Sequence, residues 1–165
     1  MDFSLSDIRR EVWEDRGAHS IIDFSISKRM FGQLYKMIFT EIPRPHFIEY
    51  NVCLNISTKR RDAGKNEEDR VSTGENPFVS ALFAMKAFNA LEERVLMHNN
   101  YRMSKKNPVK IRIFATDERR FNAYKAFLSK KGYVEKPVCK RQGYVYDKFL
   151  EKVFISYEPG KTNNL

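Results

Sequence analysis

Cysteine is scarce in this chain. There are two, Cys53 and Cys139, far apart and outside any CxxC pair. That excludes a disulfide scaffold and a zinc ribbon, and it fits reduced thiols in a cytoplasmic protein. Histidine is nearly as rare. His19, His46 and His98 are scattered, with no His or Cys partner at metal-ligand spacing, so no metal site is expected and His46, between Pro45 and Phe47, reads as structural. GxSxG, P-loop and HExxH patterns are all missing. No apolar run approaches the ~18 residues that span a bilayer, and the start Met1-Asp2-Phe3-Ser4-Leu5 has neither a basic nor an apolar leader region. No membrane partner is therefore expected. Internal repeats are also lacking.

What is present is a core-forming composition with uneven charge. Hydrophobic residues make up 42% and aromatic residues 13% of 165 residues, which excludes wholesale disorder. One domain is expected over residues 1–158, with a flexible charged excursion at 59–75 and a frayed tail at 159–165. The net charge is +9. Residues 101–165 hold 16 Lys and Arg against 6 Asp and Glu, whereas residues 1–100 hold 14 against 15. The whole excess thus lies in the C-terminal part, where it attracts polyanions.

Residue spacing suggests the elements. Ser4 and Asp7 stand at capping-box spacing before Leu5, Ile8 and Val12, which predicts a first helix ending near Gly17. Ile22, Phe24 and Ile26 alternate with polar residues, which predicts a strand. Met30, Phe31, Leu34, Tyr35 and Ile38 form a helical stripe, capped by Ser27 and stopped by Pro43 and Pro45. Phe47–Thr58 is the clearest strand: Tyr50, Val52, Leu54 and Ile56 face a core, while Glu49, Asn51, Cys53, Asn55 and Ser57 face a wetter side. Asn76-Pro77 opens a helix that is apolar almost all round from Phe78 to Phe88 and polar after Leu91. Val109–Phe114 is a further strand. Asp117 caps a helix with Phe121, Tyr124 and Leu128 inward and Gly132 at its stop. Tyr144-Val145-Tyr146 and Val153–Tyr157 read as a closing pair of strands. The expected core includes Leu54, Leu82, Phe83, Ile111, Ile113, Phe121 and Leu128. The fold class is α/β, a mixed sheet covered by helices.

The elements Tyr50–Ser57, Pro77–Leu96, Val109–Phe114, Phe121–Leu128, Lys130-Lys131-Gly132-Tyr133 and Val153–Tyr157 together resemble the GNAT acetyltransferase superfamily, over about two thirds of the chain. That family has a long central strand, a helix, a strand, a second helix ending in a Lys-Gly-Tyr type turn, and a final strand pair. The resemblance implies a GNAT-like arrangement and, with it, acetyl-CoA as cofactor of an N-acetyltransferase. The family holds the cofactor's pyrophosphate in a Gly-rich turn at the N-terminus of the central helix. Here that place is Ser72-Thr73-Gly74-Glu75-Asn76-Pro77, with one Gly, a carboxylate and a Pro that lacks an N–H.

Two functions are therefore expected. The first is a non-enzymatic protein with no cofactor that binds nucleic acid or an acidic surface of RNA polymerase, in the manner of a small accessory or viral regulator of transcription. Its candidate residues are Arg102, Lys105, Lys106, Lys110, Arg112, Arg119, Arg120, Lys140 and Arg141, interleaved with Tyr133, Tyr144 and Tyr146. Arg119 and Arg120 open a helix, where the dipole disfavours cations, so stability does not explain them. The second is a GNAT-type N-acetyltransferase with a non-standard cofactor turn. No catalytic residue is assigned. Glu67-Glu68-Asp69 reads as a solvated acidic loop, and Tyr144, Tyr146 and Tyr157 read as packing residues of the closing strands.

Overall fold

The computed structural model describes residues 1–14, 20–57, 77–139 and 146–159. A seven-stranded mixed sheet and two long helices form it. The strands are β1 (Arg9–Glu14), β2 (Ser20–Met30), β3 (Gln33–Pro43), β4 (Ile48–Ser57), β5 (Val109–Phe114), β6 (Val134–Pro137) and β7 (Lys148–Phe154); the helices are α1 (Pro77–His98) and α2 (Glu118–Leu128). The spatial order is β1-β2-β3-β4-β5-β7-β6. Only β4 and β5 run parallel, from Ile48↔Val109 to Val52↔Ile113. Every other pair is antiparallel.

Two expected helices are strands. Ser4 and Asp7 do form the capping box, with Ser4 N–H donating to Asp7 Oδ2 at 2.7 Å, but it caps only the short turn Leu5–Asp7. Val12 then lies in β1, paired with Ile22. The expected stop at Gly17 is outside the described residues. The stripe from Met30 to Ile38 is a hairpin: Ser27 and Met30 belong to β2, and Leu34, Tyr35 and Ile38 to β3. The turn between them is Phe31-Gly32, with φ of 51° and 72°. Both angles are positive, as a two-residue turn matching strand twist requires. The period-2 run Tyr35, Met37, Phe39 is buried, and it competes with the helical spacing in the same residues. The closing strand pair is also corrected. It is β6 with β7: Val134–Pro137 pairs with Lys148–Phe154, which ends before the expected Tyr157; Tyr146 is in no strand, and Tyr144 and Val145 lie outside the described residues.

The other elements match. α1 starts at Pro77, α2 is capped by Asp117 Oδ1 accepting from Arg120 N–H at 2.8 Å, and Gly132 sits at φ 89° after the closing turn. Register places Phe24, Phe39, Tyr50, Ile111 and Leu150 on one face of the sheet. Ring contacts set α1 on that face: Tyr35–Phe83, Phe39–Phe88 and Phe24–His98. Phe127 of α2 meets Phe88 of α1, so the second helix shares it. Of the expected core set, six are buried; Leu82 is only half-buried, because the inward face of α1 follows Phe83, Ala87, Leu91 and Val95. Phe78 is exposed for the same reason. After Leu91 the inner face of α1 stays buried, with Val95 and Leu96 apolar and the carboxylate of Glu92 enclosed beside them. The expected loop at 59–75 lies outside the described residues, as does the tail from 160.

Two buried polar clusters tie the helices to the sheet. At the end of α1, Tyr50 OH donates to Glu41 Oε2 at 2.7 Å, Asn99 Nδ2 donates to Tyr50 OH at 2.8 Å, and Arg102 reaches Glu41 Oε1 at 2.5 Å. Burial, with Glu41 beside it, pushes the Tyr50 hydroxyl far above the ordinary tyrosine value. Under the middle of α1, Tyr133 OH donates to Glu92 Oε2 at 2.6 Å and Lys131 Nζ lies 3.0 Å from Glu92 Oε1. That second contact lacks hydrogen-bond alignment, so it is coulombic.

His98, edge-on to Phe24, gives the fold a pH dependence. Burial lowers its pKa from the ordinary 6.5, Glu41 pulls it up, and Arg102, Arg94 and Arg10 push it down. A histidine depressed in the folded state contributes stability above the unfolded value, and that contribution is lost as pH falls below about 6.5. The loss of unfolding free energy between pH 7 and pH 5 should thus be smaller in His98→Gln than in the wild type. Urea titrations at both pH values measure it; parallel losses would exclude His98.

Candidate functional site on the uncovered sheet face

Alternation puts Glu49, Asn51 and Cys53 of β4, Lys110, Arg112 and Phe114 of β5, and Phe149 and Glu151 of β7 on the face opposite the helices. No helix covers that face among the described residues. It is nonetheless ordered by its own charges. Arg112 Nη1 bonds Glu49 Oε1 at 2.8 Å and its Nε bonds Glu151 Oε2 at 2.7 Å, while Arg44 Nε bonds Glu49 Oε2 at 2.7 Å. Glu49 is therefore 2% exposed, not wet as alternation suggested. Burial would lower the Arg112 pKa, but hydrogen bonds to Glu151 and Glu49 outweigh it and hold the group above its ordinary value. Aromatic rings frame the arginine. Phe47 carries both Lys110 and Arg112 over its ring, and Phe114 stacks on Phe149 at 4.8 Å with 22° between planes.

The parallel pairing of β4 with β5 stops at Val52↔Ile113. Beyond it β4 continues to Ser57 with β3 alone, and β5 keeps only β7. The sheet parts there. A groove of about 1050 Å³ opens at this parting. Asn51 and Leu54 line it from β4, Thr116 from the turn before α2, Tyr124 from within α2, and Lys136 and Cys139 from β6 and beyond. Cys53 lines it too, and neither Cys53 nor Cys139 forms a disulfide. Asn51 Oδ1 is buried in this wall with no hydrogen-bond partner among the described residues.

The expected cationic residues are not one patch. Lys105 and Lys106 are exposed in the turn before β5, whereas Arg119 and Arg120 start α2 beyond its far end. A six-residue strand separates the two groups by about 20 Å. Several are engaged in the fold: Arg102 with Glu41, Arg112 with Glu49 and Glu151, and Arg120 with Asp117 Oδ2 at 3.0 Å and Thr116 Oγ1 at 2.5 Å. Arg120 thus has a structural reason to open a helix. Lys140 and Arg141 lie outside the described residues, as do Tyr144, His19 and Glu67–Asp69. Tyr146 packs on Phe121, Tyr157 OH donates to Glu93, and Tyr133 is buried on Glu92. Sequence reasoning missed Arg44, Glu49, Asn51 and Glu151. The only signal was a lone charged residue inside an otherwise apolar or neutral strand, at Glu49.

No helix among the described residues is long and apolar enough to cross a membrane, and no cluster of His, Cys, Asp and Glu there could hold a metal. Comparison with protein-family models, with curated proteins and with solved structures finds no significant similarity.

Proposed function

We propose that the chain is a GNAT-type N-acyltransferase that takes an acyl-CoA in the parting between β4 and β5. One observation carries this reading: a long β4, a buried α1, a parallel β5, an α2 followed by the turn Lys130-Lys131-Gly132-Tyr133, and a final antiparallel pair, with β4 and β5 separating after Val52. The series is the one that marks the family resemblance in the sequence. The fit is to an extended thioester arm. From Leu54 to Ser57 the β5-side edge of β4 pairs with no strand among the described residues, so its backbone groups can pair with amides of such an arm. α1 begins at Pro77, which brings no N–H to the first turn, so fewer donors meet the phosphates than in a Gly-rich turn.

A bound acyl-CoA supplies an acyl group activated as a thioester. The acceptor amine forms the new C–N bond to the carbonyl carbon as the C–S bond breaks. In this reading Tyr124, which lines the groove from α2, gives its proton to the departing sulfur, while the proton lost by the amine passes to solvent. Acetyl-CoA should raise the melting temperature, and Tyr124→Phe should lower acetyl transfer to an amine about 100-fold while leaving that rise intact. The test is a thermal shift series with acetyl-CoA beside a radiolabelled acetyl-transfer assay. No shift at millimolar acetyl-CoA would overturn the reading.

A second reading is favoured by the charge of residues 101–165: binding to nucleic acid or to an acidic surface of RNA polymerase. Duplex DNA and RNA binding across a salt series tests it, comparing the wild type with an Arg119→Ala, Arg120→Ala, Lys140→Ala, Arg141→Ala variant. Equal affinities and slopes would remove these four residues from any such contact.

A further inference from the structure

On the uncovered face the cations and rings are interleaved. Lys110 lies 4.4 Å and Arg112 5.0 Å from the centre of the Phe47 ring, and Arg112 is 5.4 Å from that of Phe149. Phe149 in turn stacks on Phe114. A line of Lys110, Phe47, Arg112, Phe149 and Phe114 therefore crosses β5 and β7 on the side without helices. Lys136 extends it onto β6, opposite Phe149 in the register. Four cations, Arg44, Lys110, Arg112 and Lys136, stand here against two carboxylates, Glu49 and Glu151, and both carboxylates are already taken up by Arg44 and Arg112. The face thus keeps a positive excess. In its groove wall Asn51 Oδ1 is an acceptor with no donor among the described residues. Buried acceptors are ordinarily satisfied, so this one suits a ligand N–H.

We infer that this face binds single-stranded nucleic acid. The inference rests on the second reading above and moves the contact from the helix and turn cations to the sheet. Phosphates meet Lys110, Lys136 and the outer side of Arg44. Unstacked bases lie on the Phe47 and Phe149 rings, which a single strand can reach and a duplex cannot, because its base faces are covered by their neighbours. A base N–H, the ring N3–H in uracil or thymine, donates to Asn51 Oδ1.

The experiment measures fluorescence anisotropy of labelled oligo(U), oligo(dT) and a hairpin duplex with the full chain, across a salt series. The expected result is tighter binding of the single strands than of the duplex. Phe149→Leu and Phe47→Leu should each weaken single-strand binding roughly tenfold. Lys110→Ala with Lys136→Ala should reduce the salt slope by about 1.4 units. Melting temperatures check that the aromatic variants fold, and the lysine variant tests the face without replacing a ring. Binding that survives all of these changes but falls with Lys105→Ala and Lys106→Ala would overturn the sheet face and keep nucleic-acid binding. Equal affinity for duplex and single strand would overturn the single-strand preference. Failure to bind any oligonucleotide would overturn both.

Discussion

Replacing Lys131 with Met is expected to lower the unfolding free energy by roughly 3–5 kcal/mol, the loss typical when one partner of a buried ion pair is removed. Lys131 and Glu92 side chains are 2% and 0% exposed. The ammonium is held by Asn89 Oδ1 at 2.5 Å and lies over the Phe88 ring. Burial keeps its pKa below the ordinary lysine value, with Glu92 acting against that. Without it, Glu92 keeps only the Tyr133 hydroxyl. The double variant Lys131→Met, Glu92→Leu should recover most of the loss, because the cost comes from the stranded carboxylate. Urea unfolding of the two variants decides. A double variant no better than the single one would show that the pair is not the source.

Phe83→Ala is the other large effect, at roughly 3–5 kcal/mol, whereas its neighbour Leu82→Ala should cost less than about 2 kcal/mol. Phe83 is fully buried between Phe3 and Tyr35, with ring centres 5.6 and 5.5 Å away. Leu82 is on the flank of α1 and loses fewer contacts. Urea midpoints of both variants check the pair. Similar losses would mean that the inward face of α1 is turned toward Leu82.

The difference between these neighbours shows what a sequence reading can and cannot reach. β4, β5 and α2 were legible because one signal stood alone in each: strict alternation at Tyr50–Ile56, a Pro-bounded run at Val109–Phe114, and Asp117 with Gly132 around a helical stripe. Where signals competed, the wrong one was preferred. Met30 to Ile38 satisfies a helical spacing and a strand alternation together, and the tight Phe31-Gly32 turn decided for the strand. In α1 the composition is apolar on all sides, so the pattern alone could not say which face turns inward. The site was less legible still. Arg112 was picked as a cation for phosphate, yet its partners Glu49 and Glu151 come from strands on either side of β5. Such pairings depend on register between distant segments, which no local pattern carries.

The ends of the strand order have a bearing on solubility. Among the described residues, β1 and β6 each leave one ladder of backbone donors and acceptors without a strand partner, the kind of border along which sheets join into aggregates. Both borders are guarded. β1 reads Arg-Arg-Glu-Val-Trp-Glu, with four charges in six residues, and β6 is four residues long, carries Glu135 and Lys136, and ends at Pro137, which has no N–H to offer. A neighbouring molecule adding its own strand would have to desolvate charged side chains at β1, and at β6 it would meet a short border with a missing donor. The sheet can therefore leave one broad face open to a ligand without also inviting copies of itself to its rims.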